Sequence, residues 1–242
     1  MKTLTSGNKK ILITQSNEIS EAQYDLPLKA QRVLWMCFAQ LKMNEDKQAE
    51  FTSCVFNIYV ADYQRLFSVS LQTASRDVKS GLEYISKGTV KFFLKDGEYE
   101  EIERPWLIEK AVRRGRGSYR VDFNPRLTSY IVGLSREFTM FYSEECRKIN
   151  DSRTARLFVS FCQWRSSGIW VVSPEWLTER YSLTESKQKN VAEMKRSFLN
   201  PAIERINKHT PLQISYTTVC KSSSVKSNKV EAFIFNIASK KT

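Results

Sequence analysis

Apolar residues recur at steps of three and four positions along several stretches of the first half of the chain, a spacing typical of helices with one buried face. This spacing predicts helices over 27–42, 61–67, 70–86 and 125–133. Runs rich in β-branched and aromatic residues predict strands over 51–60, 89–94, 106–112 and 119–123. Ser70 is expected to cap the third helix. The apolar face of that helix is predicted to comprise Leu71, Ala74, Val78, Leu82 and Ile85.

The second half of the chain repeats this order of elements. Helices are predicted over 152–164, 173–181 and 186–208, and strands over 169–172, 212–219 and 230–237. The order helix, strand, helix, helix and hairpin is typical of a winged-helix domain, whose last helix enters the major groove of DNA. We therefore predict an α+β fold of tandem winged-helix domains, with residues 1–135 in the N-terminal domain and residues 136–242 in the C-terminal domain.

The composition indicates the class of partner. The 242 residues carry a formal net charge of +12, and 41% of them are apolar. A folded protein with this excess of Lys and Arg is expected to bind a polyanion, either nucleic acid or an anionic membrane surface. No apolar run approaches the ~18 residues that a membrane-spanning helix needs, and the first ten residues are polar and do not form a signal peptide. We therefore expect a cytoplasmic protein.

Residues suited to catalysis are few. His209 is the single histidine, and its position favours a helix end over a catalytic role. The cysteines have no CxxC spacing, which favours buried reduced thiols over disulfides or metal ligands. They are Cys37, Cys54, Cys146, Cys162 and Cys220. The acidic pairs at 100–101 and 144–145 are expected in solvated loops. We therefore predict no enzyme, no cofactor and no bound metal.

The predicted helix over 186–208 has polar residues that suit base edges. Arg and Lys recognise guanine, and Asn and Gln recognise adenine. The candidates at its start and along one face are Lys187, Gln188, Lys189, Asn190, Glu193, Arg196 and Asn200. A solvated helix face has the same composition, but the net charge and the adjacent hairpin favour DNA. Pro201 is expected to kink this helix, because proline lacks a backbone donor.

The first half carries a weaker set of helix residues and a denser hairpin tip. The helix candidates are Gln72, Thr73, Arg76 and Lys79. The hairpin candidates are Arg113, Arg114, Arg116 and Arg120, and in the second hairpin Lys221 and Lys226. Basic residues at a hairpin tip suit phosphate or minor-groove contact, although exposed arginines also serve solubility alone. We interpret both hairpins as wings that touch DNA.

Short motifs add a family resemblance. The segment over 198–207, Phe-Leu-Asn-Pro-Ala-Ile-Glu-Arg-Ile-Asn, resembles a stretch of the Rep_3 family of plasmid replication initiators, with Arg205 as an extra residue between Glu204 and Ile206. The segments over 15–19, 26–28 and 32–36 are similar to the N-terminal pattern of that family. The resemblance covers essentially the whole chain.

The resemblance implies two winged-helix domains that bind direct repeats, called iterons, at a plasmid origin. It implies a monomer that opens the origin, with the host initiator and the replicative helicase as partners. It also implies a homodimer, formed through the first domain, that represses its own promoter at an inverted repeat. By position, the main major-groove helix of the family falls on residues 187–200.

Two other functions are alternatives for this sequence. A winged-helix transcriptional regulator without initiator activity would share the fold and bind an inverted operator only. A rolling-circle nickase would need metal-binding histidines in a His-hydrophobe-His motif, and the chain has only His209.

Overall fold

The structure, a computed structural model, describes residues 10–41, 54–112, 117–133, 137–184, 190–220 and 230–240. The elements of the first part are β1 (Leu12–Ser16), α1 (Asn17–Glu21), α2 (Leu28–Phe38), β2 (Val55–Tyr59), α3 (Val60–Phe67), α4 (Leu71–Lys87), β3 (Thr89–Phe93), β4 (Glu101–Pro105), β5 (Leu107–Val112) and β6 (Ser118–Phe123). A 3-10 turn (Pro125–Leu127) and a π turn (Ser129–Gly133) follow.

The later elements repeat the helical and strand pattern expected of a second winged helix. They are β7 (Phe138–Tyr142), α5 (Ser143–Cys146), α6 (Ser152–Gln163), β8 (Ile169–Val172), α7 (Pro174–Arg180), α8 (Val191–Met194), a π turn (Lys195–Leu199), α9 (Asn200–His209), β9 (Leu212–Cys220) and β10 (Val230–Ser239). Helix α6 begins after Asp151 because the carboxylate of that residue accepts the backbone N–H of Thr154 at 2.8 Å.

Four antiparallel sheets organise the described residues. The three-stranded sheets have the orders β2-β6-β5 and β8-β10-β9, and each contains one of the two predicted wing hairpins. Strands β3 and β4 form a two-stranded pair, and β1 pairs with β7 from Leu12 opposite Tyr142 to Ser16 opposite Phe138. The last pair joins strands from either side of the predicted domain boundary at residue 135, and that boundary stays a prediction.

Helix α4 is placed by close packing against α2. Ser70 caps α4 as predicted, accepting the backbone N–H of Thr73 at 3.1 Å. A Cβ atom added to Gly81 would lie only 2.8 Å from the backbone oxygen of Lys29 in α2. The two helix backbones therefore approach closely at this glycine. The prediction for Leu71 was wrong, since this first residue of α4 is 56% exposed and lies outside the core.

Several elements were not predicted from the sequence because most of their residues are polar. Strand β4 contains three charged residues in five, and Lys91 of β3 pairs with Glu101 at 2.8 Å across the two strands. Strand β1 buries Thr14, Gln15 and Ser16 together with Ile13, so it lacks an alternating apolar face. The solvated-loop predictions were wrong for Glu101, which begins β4, and for residues 144–145, which lie in helix α5.

The long predicted helix is interrupted just before Pro201. The turn over Lys195–Leu199 is π-helical, and the backbone N–H of Asn200 donates to the oxygen of Lys195, five residues earlier. Proline lacks an N–H, and in a regular α-helix its ring would clash with the carbonyl four residues earlier. The chain forms a wider π turn in place of an α-helical turn at the position where that clash would arise.

The apolar side chains of both winged helices form a continuous buried core. Trp106 packs edge-on against Tyr24 and Phe123 in the first part. In the second part the ring of Trp170 stacks on Phe235 with a centroid distance of 5.4 Å. Within the described ranges, no helix is long and apolar enough to cross a membrane.

Candidate nucleic-acid interface

The helix that starts at Val191 exposes an arginine beside its capped end. The side-chain oxygen of Asn190 accepts the backbone N–H of Glu193 at 3.1 Å, which fixes the start of the helix. Arg196 is 81% exposed, and its Nε and Nη2 both donate to Oε2 of Glu193, at 3.0 and 2.5 Å. An exposed pair of this spacing is worth only about 0.3–0.5 kcal/mol, so a base or phosphate can replace the carboxylate at small cost.

Asn200 lies on the same helix but contacts the sheet. Its side-chain oxygen accepts the hydroxyl of Tyr216 in β9 at 2.7 Å. Partial burial raises the pKa of the Tyr216 hydroxyl, so this group keeps its proton at neutral pH and remains a donor. Asn200 therefore links the π turn to the sheet, a role that the sequence pattern did not suggest.

Helix α4 presents the corresponding face of the first winged helix. Gln72, Arg76 and Lys79 are exposed along it. The hydroxyl of Thr73 instead accepts the capping hydroxyl of Ser70 at 2.9 Å. Leu71 begins the helix with an exposed apolar side chain beside Gln72, and such a side chain can contact the methyl group of thymine. Gln72, Arg76 and Lys79 are thus exposed together on α4. Leu71 adds an exposed apolar side chain at the start of the same helix.

Tyr63 of α3 contacts the buried side of helix α4. This side chain is fully buried, and its hydroxyl donates to Oδ2 of Asp77 in α4 at 3.4 Å. Burial is the main cause that raises the pKa of Tyr63 to about 12. Arg76 lies beside the same carboxylate, with Nε 3.6 Å from Oδ1 of Asp77. Asp77 therefore faces both the core and the exposed side of α4.

The first wing is partly described. Arg120 lies on the central strand β6, opposite Asn57 of β2 and Ala111 of β5, and its side chain is exposed. The remaining wing candidates and the first three candidates of the second helix lie outside the described residues. These are Arg113, Arg114, Arg116, Lys187, Gln188, Lys189, Lys221 and Lys226.

A further basic segment was missed by the sequence reasoning. Arg147 and Lys148 are exposed after α5, and Nη1 of Arg147 lies 3.5 Å from the hydroxyl of Ser68. Ser68 belongs to the turn between α3 and α4, directly before the exposed face of α4. The signal available in the sequence was the adjacent Arg-Lys pair, which no predicted wing or helix had included.

The cysteines and His209 are separated in the structure. Cys37, Cys54, Cys146 and Cys162 are buried, whereas Cys220 is exposed at the end of β9. Burial raises the pKa of all four buried thiols, that of Cys146 to about 12. His209 is the exposed last residue of α9, as predicted for a helix end. Among the residues described, no three His, Cys, Asp or Glu side chains are grouped to hold a metal ion.

Family models match most of the chain. Residues 12–162 match the model described as Initiator Replication protein, WH1. Residues 173–237 match the model described as Initiator Rep protein, WH2. The fold of tandem winged-helix domains that the element order predicted is thereby confirmed.

Individual relatives agree with these matches. An uncharacterised 27.6 kDa protein of Escherichia coli is 44% identical over 216 residues, covering 87% of this chain and 90% of that protein. The PI protein of Escherichia coli is 22% identical over 261 residues, covering 96% of this chain and 85% of that protein. The crystal structure of the Pi initiator protein in complex with iteron DNA superposes with a TM-score of 0.75 at 21% identity, covering 98% of this chain and 100% of that one.

Proposed function

This chain belongs to the Initiator Replication protein family, as the resemblance over 198–207 predicted, and we propose on that premise that it is a sequence-specific DNA-binding plasmid replication initiator. The observation that carries the proposal is that each winged helix exposes a polar face next to a capped helix start. These faces hold Arg196 near the cap at Asn190, and Gln72 and Arg76 near the cap at Ser70. The Pi initiator, which has this fold, was crystallised with iteron DNA.

In the proposed complex, the two helix starts enter successive major grooves. Arg196 leaves Glu193 and donates both arms of its guanidinium to a guanine, while Gln72 has the donor and acceptor that adenine requires. Arg120 and the other wing residues contact phosphates, which positions the protein on the duplex without reading bases. The net charge of +12 supplies the attraction to the DNA backbone.

The proposed activity at the origin is that a monomer binds iterons and promotes opening of an adjacent AT-rich region. The host initiator and the replicative helicase are the proposed partners, and the cytoplasm is the proposed location. Selection of bound sequences from random DNA tests the first step, because an iteron-binding monomer selects a single non-palindromic site. A permanganate footprint on a supercoiled plasmid carrying repeats of that site tests the second, with reactive thymines expected only when the protein is present.

Dimerisation through the first domain is proposed for autorepression. The support is strand β5, an edge strand of its sheet among the described residues, on which Ile108 and Val112 are 60% and 65% exposed. Exposed apolar side chains on an edge strand favour pairing with a second copy. The same dimer fits the second candidate, a transcriptional regulator. A protein that represses from an inverted repeat but leaves the AT-rich region unreactive to permanganate is that regulator and not an initiator.

We propose that the protein cleaves no DNA. The support is chemical: the chain contains one histidine, and that residue lies exposed at the end of α9. Incubation with supercoiled origin DNA and magnesium is expected to leave the plasmid intact. A nicked product that disappears when Tyr residues are replaced one at a time would contradict the proposal and indicate a nickase.

A further inference from the structure

Arg156 of helix α6 is buried where three segments of the chain meet. Only 6% of the residue is exposed. Its Nη1 donates to the backbone oxygens of Tyr24 and Arg180, both at 2.8 Å, and its Nη2 donates to the oxygen of Ala22 at 2.7 Å. The guanidinium carbon lies 3.9 Å from the ring centroid of Tyr24 and 4.8 Å from that of Tyr181. We call these five residues the Arg156 junction.

The Arg156 junction connects the two winged helices. On one side, Gln23 exchanges backbone hydrogen bonds of 2.8 and 2.9 Å with Lys91 of β3, which joins the segment to the first winged helix. On the other side, Tyr181 follows α7, and its ring packs 5.3 Å from the ring of Phe198 in the π turn before α9. Hence Arg156 links β3, which directly follows α4, to the helix that carries Arg196.

Arg180 makes a second contact between the same two parts of the molecule, because its guanidinium lies over the ring of Phe93. Its guanidinium carbon lies 3.0 Å from the ring centroid of Phe93 in β3, and Nε2 of Gln23 donates to the hydroxyl of Ser182 at 3.3 Å. Within the part of the chain that the structure describes, Nε of Arg180 has no hydrogen-bond partner. Arg180 thus contacts β3 through the ring of Phe93, whereas Arg156 supplies directed hydrogen bonds to both segments.

The guanidinium of Arg156 is difficult to replace. Its donors are fixed in a planar fork, and here they reach carbonyls of two separate segments while the ring faces of two tyrosines cover the plane. A lysine has a single charged nitrogen on a flexible stem and cannot hold the same three carbonyls with the same directions. Substitution by lysine therefore keeps the charge and loosens the geometry.

We propose that Arg156 is a positioning residue that sets the relative placement of α4 and the Arg196 helix, so that both bind one DNA site at once. The inference rests on the proposed function. When two modules are held in a fixed arrangement, binding of the second is intramolecular and gains a high effective concentration. Loosening the arrangement lowers affinity for the whole site and leaves the affinity of each module for its own half unchanged.

The test compares Arg156→Lys with the wild type on four kinds of duplex. A full site is first selected from random DNA with the wild-type protein, and duplexes are then made with either half scrambled or with one base pair inserted between the halves. One inserted base pair rotates the halves by about 35°. We expect Arg156→Lys to bind the full site about tenfold more weakly or worse, with half-site affinities within about twofold of the wild type. We also expect the inserted base pair to reduce the binding affinity of the variant less than it reduces that of the wild type.

Arg165→Lys is the matched control. Arg165 lies just beyond α6, and it donates to the backbone oxygen of Met140 at 2.9 Å and pairs with Glu145 at 3.4 Å, so its partners lie in β7 and α5. The same chemical change there is expected to leave the full-site affinity and the spacing dependence as in the wild type.

The outcomes separate this inference from the proposed function. An equal loss on full and half sites, or an unchanged spacing dependence in Arg156→Lys, overturns the positioning role while DNA binding stands. If the wild type selects no sequence from random DNA, the proposed function itself fails. If circular dichroism shows that Arg156→Lys does not fold, Tyr24→Leu is measured instead, because it removes the ring that lies 3.9 Å from the guanidinium carbon of Arg156 and so loosens this side chain without removing its charge. A spacing dependence equal to the wild type in that variant also overturns the inference.

Discussion

At the scale of single residues, Arg196 is the side chain on which base recognition depends most in the proposed complex. Arg196→Ala is expected to weaken specific binding by about 1–3 kcal/mol, because a bidentate arginine–guanine contact is worth that amount. The stability of the free protein should change little, since the exposed pair with Glu193 contributes only about 0.3–0.5 kcal/mol. Fluorescence anisotropy with the selected duplex measures the first effect and urea unfolding the second.

Arg205→Ala is the control for this prediction. Arg205 lies farther along the same helix and pairs with Asp151 at 3.6 Å, away from the helix start. Arg205→Ala removes the same charge as Arg196→Ala, so the general attraction to DNA falls equally in both variants. Equal losses of specific affinity for Arg196→Ala and Arg205→Ala would show that Arg196 acts only through its charge.

The thiols permit a second prediction at this scale. Burial raises the pKa of Cys37, Cys54, Cys146 and Cys162, which keeps these thiols protonated and covered. Only the exposed Cys220 is expected to react rapidly with a thiol reagent at pH 8, and all five should react after unfolding. Titration with a chromogenic disulfide reagent measures the number of thiols that react in the native and in the unfolded protein. A rapid phase that persists in Cys220→Ser would show that a buried thiol becomes accessible in the native protein.

At the scale of elements, the approach of α2 and α4 decides where the first recognition face lies. Gly81→Ala adds a methyl group 2.8 Å from the oxygen of Lys29 and 3.1 Å from Cγ2 of Val33, and neither helix can accommodate it without moving. We expect a net loss of about 1–3 kcal/mol in the free energy of unfolding, despite the gain in helix propensity over glycine. Ser80→Ala on the same helix adds no atom to the structure and should be neutral or slightly stabilising in urea unfolding.

Helices with a clear apolar face could be predicted from the sequence, and those without one could not. The spacing of Ala74, Val78 and Leu82 placed α4, and Ser70 marked its start. Strand β4 carries no such pattern, because its charges are balanced by partners on the neighbouring strand. The exposure of Leu71 also escaped prediction, since a helix start extends beyond the surface on which the rest of the helix packs.

At the scale of the whole molecule, candidates for the DNA site could be proposed from residue type, but the contact between the winged helices could not be predicted. Basic and amide side chains on a helix carry a signal for DNA. Arg156 carries none, because its partners are backbone oxygens, and any residue supplies such an oxygen. The same limit applies to Asn200, whose bond to Tyr216 depends on the π turn before Pro201.

The net charge of +12 leads to the last prediction, which concerns salt. The logarithm of the binding constant should fall linearly with the logarithm of the salt concentration, because each neutralised phosphate releases counterions. Arg120→Ala is expected to weaken binding about equally on all sequences and to reduce this slope by about 1, since Arg120 is proposed to contact a phosphate. Lys91→Ala removes the same charge from β3, where Lys91 pairs with Glu101 at 2.8 Å and no phosphate contact is proposed, so its slope should equal that of the wild type. If both variants change the slope equally, the wing makes no local phosphate contact and the protein acts on DNA only through its overall charge.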